Sequence, residues 1–129
     1  MNPASDRRRQ ARIRTAGSVT LTLRRGFFGH RILSGSLVDV SVDGLQVQLP
    51  APVAAGRRVK VLLALGVPGS EAAIYRFPGR IIWSKAAGPD GYSLAGVRLR
   101  VRSRNLRGIW QNVIYEALRT PAGSRANNP

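Results

Sequence analysis

The apolar residues of this chain recur with a period of two over most of its length, and with a period near 3.6 only at the end. That pattern restricts it to a β fold followed by one helix. Val19, Leu21 and Leu23 alternate with Thr20, Thr22 and Arg24, as in a half-buried strand. Gly26-Phe27-Phe28-Gly29 interrupts the run and leaves His30 in a loop. Ser36 to Val40 reads as a second strand, and Asp43-Gly44 is a hairpin turn signal. Leu45, Val47 and Leu49 alternate with Gln46 and Gln48 until Pro50 and Pro52 end that strand. Val59, Val61, Leu63 and Leu65 form a fourth. Residues 74–84 form a fifth, with Pro78-Gly79 predicting a bulge or bend. Gly88-Pro89-Asp90-Gly91 is a turn by composition, and residues 92–101 are a sixth strand. Six short strands at this spacing predict a closed antiparallel barrel or a sandwich.

The period changes after Ser103, a good N-cap. Leu106, Ile109, Trp110, Val113, Ile114, Ala117 and Leu118 then fall on one helical stripe. Such a stripe either closes the barrel or presents a dimer or partner surface. Residues 1–16 have no apolar periodicity and read as a flexible basic arm; residues 120–129 are small and polar and read as a disordered tail. The expected organisation is arm 1–16, barrel 17–102, helix 103–119 and tail 120–129.

Charge narrows the choice of ligand. Twenty-one basic residues against six acids give a net charge of +15. Of the basic residues only Lys60 and Lys85 are lysine. Guanidinium forks bind phosphates and the guanine O6/N7 edge bidentately and stack on flat rings, so the bias suits a nucleotide or nucleic acid. A solvated basic surface satisfies the same composition. There is no cysteine, hence no disulfide or thiolate metal site. The lone histidine, His30, has no partner at ligand spacing, so no metal site is expected. No nucleophile elbow, phosphate loop or dinucleotide fingerprint is present, which argues against an enzyme. The start of the chain has no apolar signal-peptide core, and the longest apolar run, residues 61–67, is too short to span a bilayer. A soluble, cytoplasmic protein is expected.

Two motifs stand out. Arg7-Arg8-Arg9-Gln10-Ala11-Arg12 places Arg8 and Arg12 four residues apart in the arm. Arg-x-x-x-Arg alone means little, because it recurs at Arg76/Arg80, Arg98/Arg102 and Arg100/Arg104. The second motif, Asp39-Val40-Ser41-Val42-Asp43-Gly44, is rarer. Asp39 and Ser41, two apart on a strand, face the same side, and Gly44 allows a turn with positive φ and close approach of a ligand. On residue chemistry alone, a solvated basic tail and a polar hairpin are the better explanations of the two motifs.

In this order, and with the late strand Gly96-Val97-Arg98-Leu99, the motifs resemble the PilZ domain, the bacterial receptor module for cyclic di-GMP, over residues 6–119. Leu99 stands where many members carry an aromatic. The resemblance implies a six-stranded antiparallel barrel with a C-terminal helix, no cofactor beyond the ligand, and ligand contacts from Arg8, Arg12, Asp39, Ser41 and Gly44. Arg7 and Arg9 would reach a second nucleotide. Trp83 matches a position where some members stack an aromatic on guanine, although packing in the core or at the barrel rim is an equal reading. The expected function is a receptor whose arm folds over the ligand and which signals in trans to an unknown protein partner, as a monomer or dimer. Two alternatives stay open: a basic β-barrel that binds nucleic acid, and a PilZ-like adaptor that binds only proteins.

Overall fold

The computed structural model describes residues 13–15, 17–24, 29–65 and 73–119. They form β1 (Ile13–Arg14), β2 (Ser18–Arg24), β3 (His30–Val40), β4 (Gly44–Leu49), β5 (Arg58–Leu65), β6 (Ala73–Ala86) and β7 (Ser93–Leu99), followed by α1 (Arg104–Arg119). Every pairing is antiparallel. The order β3-β2-β5-β6-β7-β4 closes through a β3–β4 pairing, so six strands make a barrel without a free edge.

The short strand β1 continues the line of β2 along β3. Ile13 pairs with Val40 and Arg14 with Asp39, whereas Ser18 pairs with Ser36. Residues 13 and 14 are therefore in the sheet and not in a free arm. Their main chain meets the end of β3, and Ile13 packs on the core.

Alternating side chains fill the barrel. Val19, Leu21 and Leu23 of β2 face Val59, Val61 and Leu63 of β5, with Phe77, Ile81, Val97 and Val47 completing the interior. Helix α1 lies against the barrel. Ser103 caps it, with its Oγ accepting from the Leu106 amide at 3.0 Å. Trp110, Val113 and Ala117 are buried, and Leu106, Ile109 and Ile114 are partly so. Leu118 departs from the expected stripe and is 59% exposed. It sits about 80° around the helix from Trp110, at the margin of the apolar face.

Three local expectations are corrected. His30 is not in a loop: it opens β3 and pairs with Arg24. Strand β3 starts six residues before Ser36 because pairing with β2, and not its own diluted pattern of Ser34, Gly35 and exposed Ile32, holds it. Pro78-Gly79 carries no bulge, since β5 and β6 pair without a slip from Arg58↔Arg80 to Leu65↔Ala73. The bulges fall elsewhere, at Val38 between β3 and β4 and at Ile82 between β6 and β7. Each adds one residue and reverses which side chains face inward beyond it. Leu37 and Val40 can thus both enter the core, three residues apart.

Candidate functional site

The Val38 bulge sets up the motif that follows it. With Leu37 and Val40 turned inward, Asp39 lies on the opposite face of β3, at the residue paired with Arg14 of β1. It is only 7% exposed.

Residues 41–43 then form the β3–β4 turn, which is held from three directions. The Ser41 amide donates to the Gly44 carbonyl at 2.8 Å. The Leu99 amide of β7 donates to the Asp43 carbonyl at 3.0 Å. From the helix, Trp110 Nε1 donates to the carbonyls of Ser41 and Val42, each at 3.0 Å. The Ser41 hydroxyl is buried and lies 3.5 Å from the Gly44 carbonyl. Val42, at the tip, is 67% exposed.

Gly44 plays a different part from the one expected. Its φ is not positive. A Cβ there would fall on the carbonyl oxygen of Val97, so glycine is required because β4 and β7 approach closely, with Gly44 paired to Arg98.

The second wall of the site comes from β6 and β7. Beyond the Ile82 bulge, Trp83 pairs with Gly96. It stands outside the core, half-buried, with the five-membered ring of its indole lying over Gly96; a Cβ on Gly96 would collide with the ring. The Lys85 ammonium is 5.9 Å from the centre of the indole, within cation–π range. Ser41, Asp43, Gly44, Trp83, Gly96 and Arg98 together line one shallow cleft of about 50 Å³. That is room for a water or two, well short of the roughly 300 Å³ or more of an enclosed ligand pocket. The cleft is a floor and a wall on which a flat or anionic group can rest, with a cation, an aromatic edge and a tight turn in reach.

Of the residues singled out from the sequence, the structure brings Ser41, Gly44 and Trp83 into this cleft. Asp39 is close in sequence but does not line it. Arg7, Arg8, Arg9 and Arg12 lie outside the described residues. Sequence reasoning missed Gly96, Arg98, Lys85 and the anchoring role of Trp110. Gly96 and Arg98 share a face of β7 by period two, a usable signal, but the pairing of Arg98 with Gly44 depends on a register between distant strands. Among the described residues no cluster of His, Cys, Asp or Glu could hold a metal ion, and no helix is long and apolar enough to cross a membrane.

Comparison with known proteins finds a family model and solved structures that match. A family model described as the PilZ domain matches residues 6–115. Among solved structures, the PilZ domain with c-di-GMP of YcgR from Escherichia coli is similar with a TM-score of 0.64 and 19% sequence identity; the match covers 95% of this chain and 99% of that one. No curated protein matches the sequence.

Proposed function

The chain belongs to the PilZ domain family, and from that premise we propose that it is a non-enzymatic receptor for cyclic di-GMP. The observation that carries the reading is the position of the cleft. The turn bearing Ser41 and Gly44 faces Trp83 and Arg98. The main chain joins the sheet beside that turn, at Ile13 opposite Val40, so the run bearing Arg7, Arg8, Arg9 and Arg12 is tethered one residue away. A cleft of this size cannot enclose a dinucleotide. The reading therefore assigns the remaining contacts to the arginine run.

In this reading Arg8 and Arg12 fork a guanine edge and a phosphate, and Arg7 and Arg9 reach a second nucleotide where one is bound. Trp83 offers its indole to a base, and Arg98 adds a phosphate contact. Asp39 accepts from guanine N–H groups or holds an arginine of the run. Gly44 acts indirectly, by letting β4 and β7 close on the turn. Binding orders residues 1–12, and the changed surface is read by a partner protein in trans.

Calorimetric titration of the purified chain with cyclic di-GMP tests this, beside an Arg8→Ala/Arg12→Ala variant and a GMP control. Saturable heat that the variant and GMP both lack is expected, and its stoichiometry counts the nucleotides. No heat with cyclic di-GMP removes the receptor reading. Hydrogen exchange in residues 5–15 that stays unchanged at saturating ligand removes the ordering step alone.

A further inference from the structure

A second cationic feature runs away from the cleft. Arg98 pairs with Arg80, and Arg80 pairs with Arg58. Arg24 lies one residue past the Leu23↔Val59 pair, level with Arg58, and itself pairs with His30. Five adjacent strands therefore each place one exposed basic residue in a single row: His30, Arg24, Arg58, Arg80 and Arg98. At about 4.8 Å between strands the row is roughly 19 Å long.

No acidic residue stands within the row itself. Like charges directly opposite each other weaken a strand pair, so the arrangement is unfavourable for folding by itself. Beside it lies a cavity of about 500 Å³ into which Arg24, His30, Arg58, Lys60 and Arg100 converge, and none of the described residues lining it is acidic. Arg102, loss of solvent, and then Arg58 and Arg80 lower the pKa of the Arg100 guanidinium from its ordinary value. Neighbouring cations thus crowd Arg100, and an external anion would relieve that crowding.

We propose that this belt binds the phosphate backbone of a single-stranded nucleic acid. A line of charges, and not a round patch, matches a linear polyanion. Guanidinium forks suit phosphate oxygens. The row follows the curvature of the barrel, which a flexible single strand can track and a duplex with a persistence length of about 50 nm cannot. The row contains no Phe, Tyr or Trp, and its one ring, the His30 imidazole, stands at its end, so contact with the backbone without base selection is the expected mode. This inference shares only Arg98 with the cyclic dinucleotide reading and rests on Arg24, Arg58 and Arg80, which that reading does not use.

The test is fluorescence polarisation of a labelled oligothymidine of about 20 nucleotides with the full chain, at sodium chloride concentrations from about 50 to about 300 mM, against an Arg24→Gln/Arg58→Gln/Arg80→Gln variant. Removing three phosphate contacts should make the slope of log K against log salt shallower by about 2, and should weaken binding at least tenfold at the low-salt end. Circular dichroism should show an intact fold, and calorimetry with cyclic di-GMP should give the same result for the variant as for the parent chain. Equal slopes for the two proteins overturn the proposal. It is also overturned if oligothymidine fails to bind while poly-glutamate binds the parent chain and not the variant; the belt would then recognise an acidic protein.

Discussion

Replacing Trp110 with phenylalanine separates two roles of one side chain. The indole is 3% exposed and meets the Phe77 ring edge-on, with centroids 5.2 Å apart. Its N–H is shared between the carbonyls of Ser41 and Val42. Phenylalanine keeps an aromatic ring in the core but removes that donor. The smaller ring gives up roughly 40 Å² of buried apolar area, about 1 kcal/mol at 25 cal/mol/Å². Leaving the Ser41 carbonyl without its donor costs about 1–3 kcal/mol. The expected loss of stability is about 2–4 kcal/mol, a fall in melting temperature of roughly 6–20 °C for a domain of this size.

Stability alone does not test the anchoring role, so ligand affinity must be measured with it. A domain that starts with about 5–15 kcal/mol of stability stays almost fully folded at 20 °C after this loss, so unfolding would barely change the apparent Kd. If Trp110 positions the turn, Kd for cyclic di-GMP should nevertheless rise about tenfold, equivalent to 1.4 kcal/mol. Val113→Ala is the control. That residue is equally buried in the same helix, has no bond to the turn, and should lose about 2–3 kcal/mol with unchanged affinity. The reasoning is refuted if Trp110→Phe costs under 1 kcal/mol, or if the two variants lose equal stability and bind equally well.

Other consequences follow from the same geometry. Gly44→Ala should lose about 1–3 kcal/mol in urea unfolding, because its methyl meets the Val97 carbonyl; a loss under 0.5 kcal/mol would sink the close-approach argument. Gly96→Ala should displace the Trp83 indole. In a Trp110→Phe background, where Trp83 is the remaining tryptophan, its emission should shift to the red, and an unchanged spectrum would place the ring elsewhere. Raising salt from about 20 to 500 mM shortens the Debye length from roughly 20 Å to about 4 Å. The melting temperature should therefore rise as repulsion along the arginine row is screened, and by less in the Arg24→Gln/Arg58→Gln/Arg80→Gln variant; a flat or falling profile contradicts net repulsion along the row.

Strands with clean alternation were legible in the sequence. In β2, β4 and β5 every second residue is apolar and each of those residues is buried. The bulges were not legible, for a physical reason. Leu37-Val38-Asp39-Val40 and Ile81-Ile82-Trp83 each place apolar residues side by side, so the extra residue leaves no gap in the pattern. Only the partner strand shows where the register slips. The same dependence hid Arg98, whose place beside the turn is a matter of β4–β7 pairing. Asp39 and Ser41 were expected on one face because they are two apart. That spacing holds only within a strand, and Ser41 already belongs to the turn. The helix and its Ser103 cap were read correctly because both signals are local.

In the proposed receptor, the β3–β4 turn gives a buried serine a use that a simple hairpin would not have. The turn is fixed by main-chain bonds to β4, β7 and the helix, none of which uses a side chain of the turn itself. The Ser41 hydroxyl adds only a contact of 3.5 Å, at the long limit for an O–H···O bond, to a carbonyl that already accepts a 2.8 Å bond from the Ser41 amide. Exchanging that contact for a ligand oxygen would forfeit little, while the turn would keep its shape. In the proposed receptor, rigidity and ligand chemistry would thus fall to different atoms of the same three residues. Ser41→Ala should on this account leave stability within about 1 kcal/mol of the parent chain while weakening cyclic di-GMP binding, because the lost donor matters more to a ligand than to the fold. A variant that loses stability and affinity in the same proportion would return Ser41 to a purely structural role.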